Sequence, residues 1–231
     1  MIGDERIRDF IYSLEAGQGE LRDAIAREAV AERVPIIKKE TGAFLKTLVA
    51  MKQPRAVLEV GTAVGYSALL MEMVLPEGGH ITTVEKYEPR IEKARENFRK
   101  AGVEERISLI EGDAEDVLKG FGDGVFEFVF MDAAKGQYLN WIGEVMRVLA
   151  PGGVLVADNV LQDGDVVQSK YAVERRKRTI HGRMREFLYV VKHMEGVETA
   201  VVPIGDGVAV SVKVGERGGE GVGGSTPHAG N

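Results

Sequence analysis

The chain has no cysteine, which excludes a disulfide framework, a thiolate zinc site and a cysteine nucleophile and leaves oxygen and nitrogen as its ligand atoms. It also lacks any apolar run long enough to span a bilayer. Its amino terminus, MIGDERIRDFIYSLEAG, is charged and amphipathic rather than a basic stub ahead of an apolar signal core. A soluble cytoplasmic protein with no membrane partner is the expectation. Positive charge is in deficit: the formal net charge is -6 at pH 7, which argues against a uniformly basic nucleic-acid surface but leaves room for a local one. What is present is 231 residues, 44% of them hydrophobic, enough for one substantial core, so residues 1–214 are expected to form a single domain.

Within it, residues 1–50 read as a helical cap. Ile7, Phe10, Ile11 and Leu14 are spaced for one helix face, and Pro35 breaks the helical run. From Ala56 to residue 214, short β-rich runs alternate with amphipathic ones: AVLEVG, ITTVE, RISLIEGD, FEFVFMDA and GVLVADNV, followed by ETAVVPI and GVAVSVKV. Alternation at this length predicts an α/β fold, a doubly wound, mostly parallel sheet of seven strands. Gly205-Asp206-Gly207 folds the last two runs into an antiparallel hairpin at the sheet edge. The stretch 215–231 is glycine-rich with few large apolar groups, and a flexible tail is expected there.

The chemistry-bearing residues fall where the apolar runs end. Gly61 and Gly65 close a strand and open a helix, where a ligand can approach the backbone and meet unpaired N–H donors; a tight strand-to-helix turn would use the same residues. The spacing is not the three-glycine fingerprint of a nicotinamide dinucleotide site, which counts against an oxidoreductase. Glu85 ends ITTVE, 20 residues past Gly65, where a carboxylate can accept both hydroxyls of a ribose. Gly112-Asp113-Ala114 ends the third run; Asp113 suits an adenine amine or, equally, a helix N-cap. Asp132 and the pair Asp158-Asn159 end two runs that should be neighbouring strands about 4.8 Å apart. Three oxygen donors without histidine suit Mg2+, Mn2+ or Ca2+ rather than zinc or copper. Lys135, three residues beyond Asp132, reaches the same place as a candidate general base.

These residues resemble the metal-dependent, S-adenosylmethionine-using O-methyltransferases of the catechol and caffeoyl-CoA type. The resemblance spans about residues 30 to 214 and rests on VLEVGTAVGYSALLM, Glu85, Gly112-Asp113-Ala114, MDAAKGQY and ADNV. It implies that Ile37, Glu59, Gly61, Gly65 and Ser67 contact the methionine and ribose side of the cofactor. Glu85 would take the ribose, Gly112, Asp113 and Ala114 the adenine. Asp132 would serve both cofactor and metal, with Asp158 and Asn159 completing the ligands and Lys135 acting as base. It also implies a homodimer. Within the family the segments VPIIKKETGAFLKTL, AMKQP, DNVL and PIGDGVAVS are most similar to the bacterial branch that methylates wobble 5-hydroxyuridine in tRNA. A small catechol-like phenol is the alternative acceptor.

One further stretch bears on that choice. Lys170, Arg175, Arg176, Lys177, Arg178, Arg183, Arg185 and Lys192 stand against only Glu174 and Glu186. Arg175 to Arg178 are candidate contacts to a tRNA backbone, although charge runs are commonly just solvated helix faces. Tyr138 and Trp141 read as core aromatics rather than as a stacking platform, and His181 as a bystander.

Overall fold

The computed structural model describes residues 5–215. The expected cap is three helices, α1 (Glu5–Leu14), α2 (Glu20–Ala31) and α3 (Lys39–Lys52), with Pro35 between the last two. Seven strands follow: β1 (Ala56–Val60), β2 (His80–Glu85), β3 (Ile107–Glu111), β4 (Phe126–Met131), β5 (Leu149–Ala157), β6 (Val197–Val202) and β7 (Val208–Lys213). The connecting helices are α4 (Tyr66–Glu72), α5 (Glu88–Ala101), α6 (Ala114–Lys119), α7 (Tyr138–Val148) and α8 (Arg178–His193). The strand order is β3-β2-β1-β4-β5-β7-β6. β1 to β5 pair in parallel, and β7 runs antiparallel to both β5 and β6. The hairpin is therefore seated with its second strand against β5, and β6 forms one edge of the sheet, β3 the other. The glycine-rich tail expectation falls on residues 216–231, outside the described residues.

Period-two alternation in the central strands divides the core between two faces. Leu58, Val60, Val129 and Met131 face α6, α7 and α8, meeting Leu118, Tyr138, Val145, Met184 and Phe187. Val57, Phe128 and Phe130 face the other way, onto Leu45, Val49, Leu69 and Phe98 of α3, α4 and α5. Each fully buried phenylalanine contributes about 1.5–3 kcal/mol of transfer free energy. α8 shows the matching helical spacing, burying His181, Met184, Phe187 and Val191 at intervals of three and four. The sheet is thus covered on both faces, and its ligand-accessible place is the row of strand ends. Among the described residues, no helix is long and apolar enough to cross a membrane.

Candidate active site

The carboxyl ends of the parallel strands open into one cavity of about 710 Å3, within the size range of small-ligand sites. Register puts the key residues there. Val60 pairs with Met131 and Met131 with Ala157, and the ladder runs one step further, with the Asp132 N–H donating to the Val60 carbonyl at 3.0 Å and the Asp158 N–H to the Met131 carbonyl at 3.0 Å. The buried hydroxyl of Tyr138 sits beneath this step, 2.8 Å from the Met131 carbonyl oxygen and 3.3 Å from that of Asp158. Tyr138 is therefore a fastening in the core, while Trp141, expected to be core only, also lines the cavity.

One wall is built by the turn after β1. Gly61 adopts φ 105, and a Cβ there would collide with the Asp132 carbonyl, so the two strand ends approach closely only because the side chain is absent. Ala63 is held at φ 46, a left-handed conformation unusual for alanine, and its N–H donates to Glu85 Oε2 at 2.9 Å. Glu85 Oε1 accepts from the N–H groups of Lys86 and Tyr87, each at 3.0 Å. The carboxylate thus organises the turn of one strand and the exit of the next before any ligand arrives. Asp113 caps α6, accepting from the Glu115 N–H at 3.0 Å, and takes the Lys86 ammonium at 2.9 Å on its other oxygen. Lys86 is the main cause holding this carboxyl below its usual range.

Eleven of the site residues named from the sequence line this cavity: Ile37, Gly61, Ser67, Glu85, Gly112, Asp113, Ala114, Asp132, Lys135, Asp158 and Asn159. Two do not. Glu59 lies on the inward alternation of β1, fully buried, with its carboxyl accepting from the Ser67 hydroxyl at 2.6 Å and the Thr83 hydroxyl at 2.5 Å. Burial pushes its pKa up to about 7, against those two hydrogen bonds. It fixes Ser67 from behind the wall, since its side chain cannot leave the face that the strand's pleat assigns it. Gly65 is also outside the lining; it caps α4 at φ 82 and lies against the Phe98 ring, which a Cβ would strike.

At the far end, Asp132 and Asp158 share a low-dielectric corner. Asp158 is buried, and burial together with the Asp132 charge raises its pKa to about 7, opposed by its bond from the Asn159 N–H at 2.7 Å and by Lys135. Lys135 Nζ donates to Asp132 Oδ1 at 2.5 Å. Asn159 adopts φ 58, a left-handed conformation that asparagine tolerates. Among the described residues no group of three or more His, Cys, Asp or Glu side chains is arranged to hold a metal ion; the set here is two carboxylates and one amide. Its chemistry fits a hard dication, because two crowded carboxylates in a buried corner are relieved by positive charge.

Sequence reasoning missed Asp206 and Lys38. Both line the cavity and they form an ion pair, with Lys38 Nζ also 3.1 Å from Asp163 Oδ1. Asp206 Oδ2 accepts from Asn159 Nδ2 at 3.0 Å. Lys38 sits next to Ile37 in a stretch without a sharp motif, and Asp206 was fully explained as a turn residue.

Arg175 to Arg178 lie outside the cavity, and most of the basic run is occupied locally. Arg178 donates to the carbonyls of Val173 and Tyr171, Arg185 to that of Val166, Arg183 to that of Gly136 and Lys192 to that of Thr199. Arg176 pairs with Glu174 and Lys177 with Asp165. Arg178 and Arg185 therefore tie α8 to the loop that follows the Asp158-Asn159 pair, while Arg183 and Lys192 tie it to the β4 exit and to β6.

The cavity lies at the carboxyl ends of the parallel strands, where doubly wound folds bind their ligands, with Glu85, Asp113 and the corner of Asp132, Asp158 and Asn159 in its lining. The family described as O-methyltransferase matches residues 14–214, and the chain belongs to it, a family of transferases that take their methyl group from S-adenosylmethionine. The chain is 28% identical over 221 residues to a caffeoyl-CoA O-methyltransferase of Populus kitakamiensis, covering 91% of this chain and 94% of that one. It is 34% identical over 148 residues to a catechol O-methyltransferase of Mycobacterium tuberculosis, covering 64% and 67%. The fold is shared with the O-methyltransferase from Bacillus cereus solved in complex with SAH, at a TM-score of 0.78 and 24% identity over 90% of this chain and 96% of the other.

Proposed function

We propose that the protein moves a methyl group from S-adenosylmethionine to a hydroxyl that has a second oxygen beside it, assisted by Mg2+ or a similar dication at Asp132, Asp158 and Asn159. One observation carries this reading: the cofactor-side residues Ile37, Ser67, Glu85 and Asp113 and the oxygen corner of Asp132, Asp158 and Asn159, with Lys135, line one cavity. The SAH-bound Bacillus cereus protein of the same fold supports the cofactor. When bound, the sulfonium supplies an electrophilic methyl group and the dication supplies Lewis acidity to an oxygen pair. The chain's own part is positional. Glu85 and Asp113 orient the nucleoside end, Ser67 is held by Glu59 against the methionine end, and Trp141 and Ile37 exclude water from the walls. Lys135 Nζ, beside Asp132, takes the proton of the reacting hydroxyl. Lys135→Ala is expected to lower kcat by roughly 10²–10⁴-fold while S-adenosylhomocysteine affinity, read by calorimetry, stays at the wild-type value; unchanged turnover would remove lysine from this role.

The leading acceptor in this reading is wobble 5-hydroxyuridine of tRNA, whose 5-hydroxyl and C4 carbonyl are vicinal oxygens. Lys170 and Arg175, whose side chains have no bonded partner among the described residues, support it, together with Tyr171, which is 85% exposed and could stack on a base. A small catechol-like phenol is the second reading, favoured by the relatives named above and by the internal use of most of the basic run. Mass detection of tRNA nucleosides from a strain lacking the gene, and of tRNA from that strain treated with the purified protein, separates the two. Loss of 5-methoxyuridine and its return on treatment are expected; unchanged levels, with turnover of catechol in vitro, would transfer the assignment to the phenol. The reading includes a homodimer, supported by the exposed Ile7, Phe10 and Leu14 on α1 and tested by the mass in light scattering.

A further inference from the structure

We propose that Asp206 is a positioning residue that dictates which atom of the Asn159 amide faces the cation. The inference rests on the cation reading above and goes one residue beyond it. An ionised carboxylate has acceptors and no donor. Asp206 Oδ2 lies 3.0 Å from Asn159 Nδ2, so the amide must turn its NH2 toward Asp206, and its oxygen is the atom left for the cation. Turning the amide over would set oxygen against carboxylate and present N–H groups to a dication. The other Asp206 oxygen takes the Lys38 ammonium, which fixes the carboxylate group in place.

The turn carrying Asp206 is itself anchored to the strand exit it governs. The Val160 N–H donates to the Gly207 carbonyl and the Leu161 N–H to the Asp206 carbonyl, each at 2.9 Å. Three segments far apart in sequence therefore meet at one side chain: the cavity wall at Lys38, the β5 exit at Asn159 and the β6–β7 turn. Metal ligands elsewhere are commonly oriented by such outer partners, whose loss costs roughly 10–100-fold in metal affinity.

An uncommon ordering of variants follows from this geometry. Asp206→Asn is nearly isosteric, and its oxygen belongs with the Lys38 ammonium, so its NH2 faces Asn159 and draws that amide's oxygen away from the cation. Asp206→Ala merely frees the amide to rotate. Mn2+ titrated calorimetrically into the full chain should bind tightest to wild type, more weakly to Asp206→Ala and weakest to Asp206→Asn, with roughly 10–100-fold lost in the last. Adding Asn159→Asp to Asp206→Asn should recover most of the affinity, because the carboxylate introduced there can accept from the new NH2 with one oxygen and keep the other for the cation. S-adenosylhomocysteine affinity and the melting temperature serve as folding controls and should stay near wild type. Equal Mn2+ affinity of wild type and Asp206→Asn, a weaker Asp206→Ala than Asp206→Asn, or no recovery in the double variant would overturn the proposal. A wild-type protein that takes up no Mn2+ would overturn the cation reading and this inference together.

Discussion

Asp158→Asn is expected to suppress methyl transfer and at the same time to stabilise the cation-free protein above neutral pH. Asp158 is 2% exposed, and burial with the neighbouring Asp132 charge lifts the carboxyl pKa from the ordinary 3.8 to about 7. A raised folded-state value means that the folded protein holds its proton where the unfolded chain has lost it. The associated stability is fully present below about pH 4 and is lost as pH rises to about 7. Glu59, lifted by burial to about 7, acts in the same direction over the same window. In chelator, the wild-type melting temperature should therefore fall between pH 4 and pH 8, and Asp158→Asn should fall less. Added Mg2+ should restore wild type at pH 8 and do nothing for the variant. Turnover of the variant should drop by about 10³-fold, the equivalent of about 4 kcal/mol of lost charge stabilisation. Identical melting curves for the two proteins at pH 8 in chelator would contradict this account of the corner.

Gly61→Ala should cost far more stability than alanine at an unobstructed glycine of similarly positive φ. Two costs act together at Gly61: a φ of 105, which an L side chain adopts only with strain, and a Cβ driven into the Asp132 carbonyl, with the carbonyl carbon at 2.9 Å and the Ala133 Cβ at 3.0 Å. Backbone cannot move aside as a flexible side chain can. The combined cost is about 3 kcal/mol or more, or a fall in melting temperature of roughly 6–12 °C for a chain of this size. Because the displaced group is the main chain of Asp132, Mn2+ uptake should weaken in parallel. Gly78 is the control, with a φ of 73 but nothing within 4 Å of a Cβ, so Gly78→Ala should cost only about 1 kcal/mol. Equal melting temperatures for the two variants would remove the close approach of β1 and β4 as the reason for glycine at 61.

What the sequence carried well was the strand-end logic. The five runs that end at Gly61, Glu85, Gly112-Asp113, Asp132 and Asp158 became parallel strands whose exits face the cavity, since local periodicity and sheet geometry demand the same thing. What it carried poorly were side chains whose role depends on a distant partner. Glu59 stands two residues from Gly61 within the same motif, yet the pleat sends it into the core; alternation with Val57 was the available signal. Gly65 answers to Phe98 on the next helix, which nothing local announces. Arg178, Arg183 and Arg185 bond to main-chain carbonyls, and carbonyls leave no mark in a sequence. Asp206 was hidden by a sufficient local explanation, the hairpin turn, and Ile37 was reached only through family resemblance.

The claim that unites the site is that Asp132, Asp158 and Asn159 hold one dication beside the methyl donor. Electron paramagnetic resonance of Mn2+ titrated into wild type and into Asp158→Asn, both with S-adenosylhomocysteine present, tests it most directly. One saturable Mn2+ per wild-type chain, with the free-ion signal undiminished in the variant, is the predicted result. Mn2+ that stays free in wild type, or that both proteins take up equally, would contradict it.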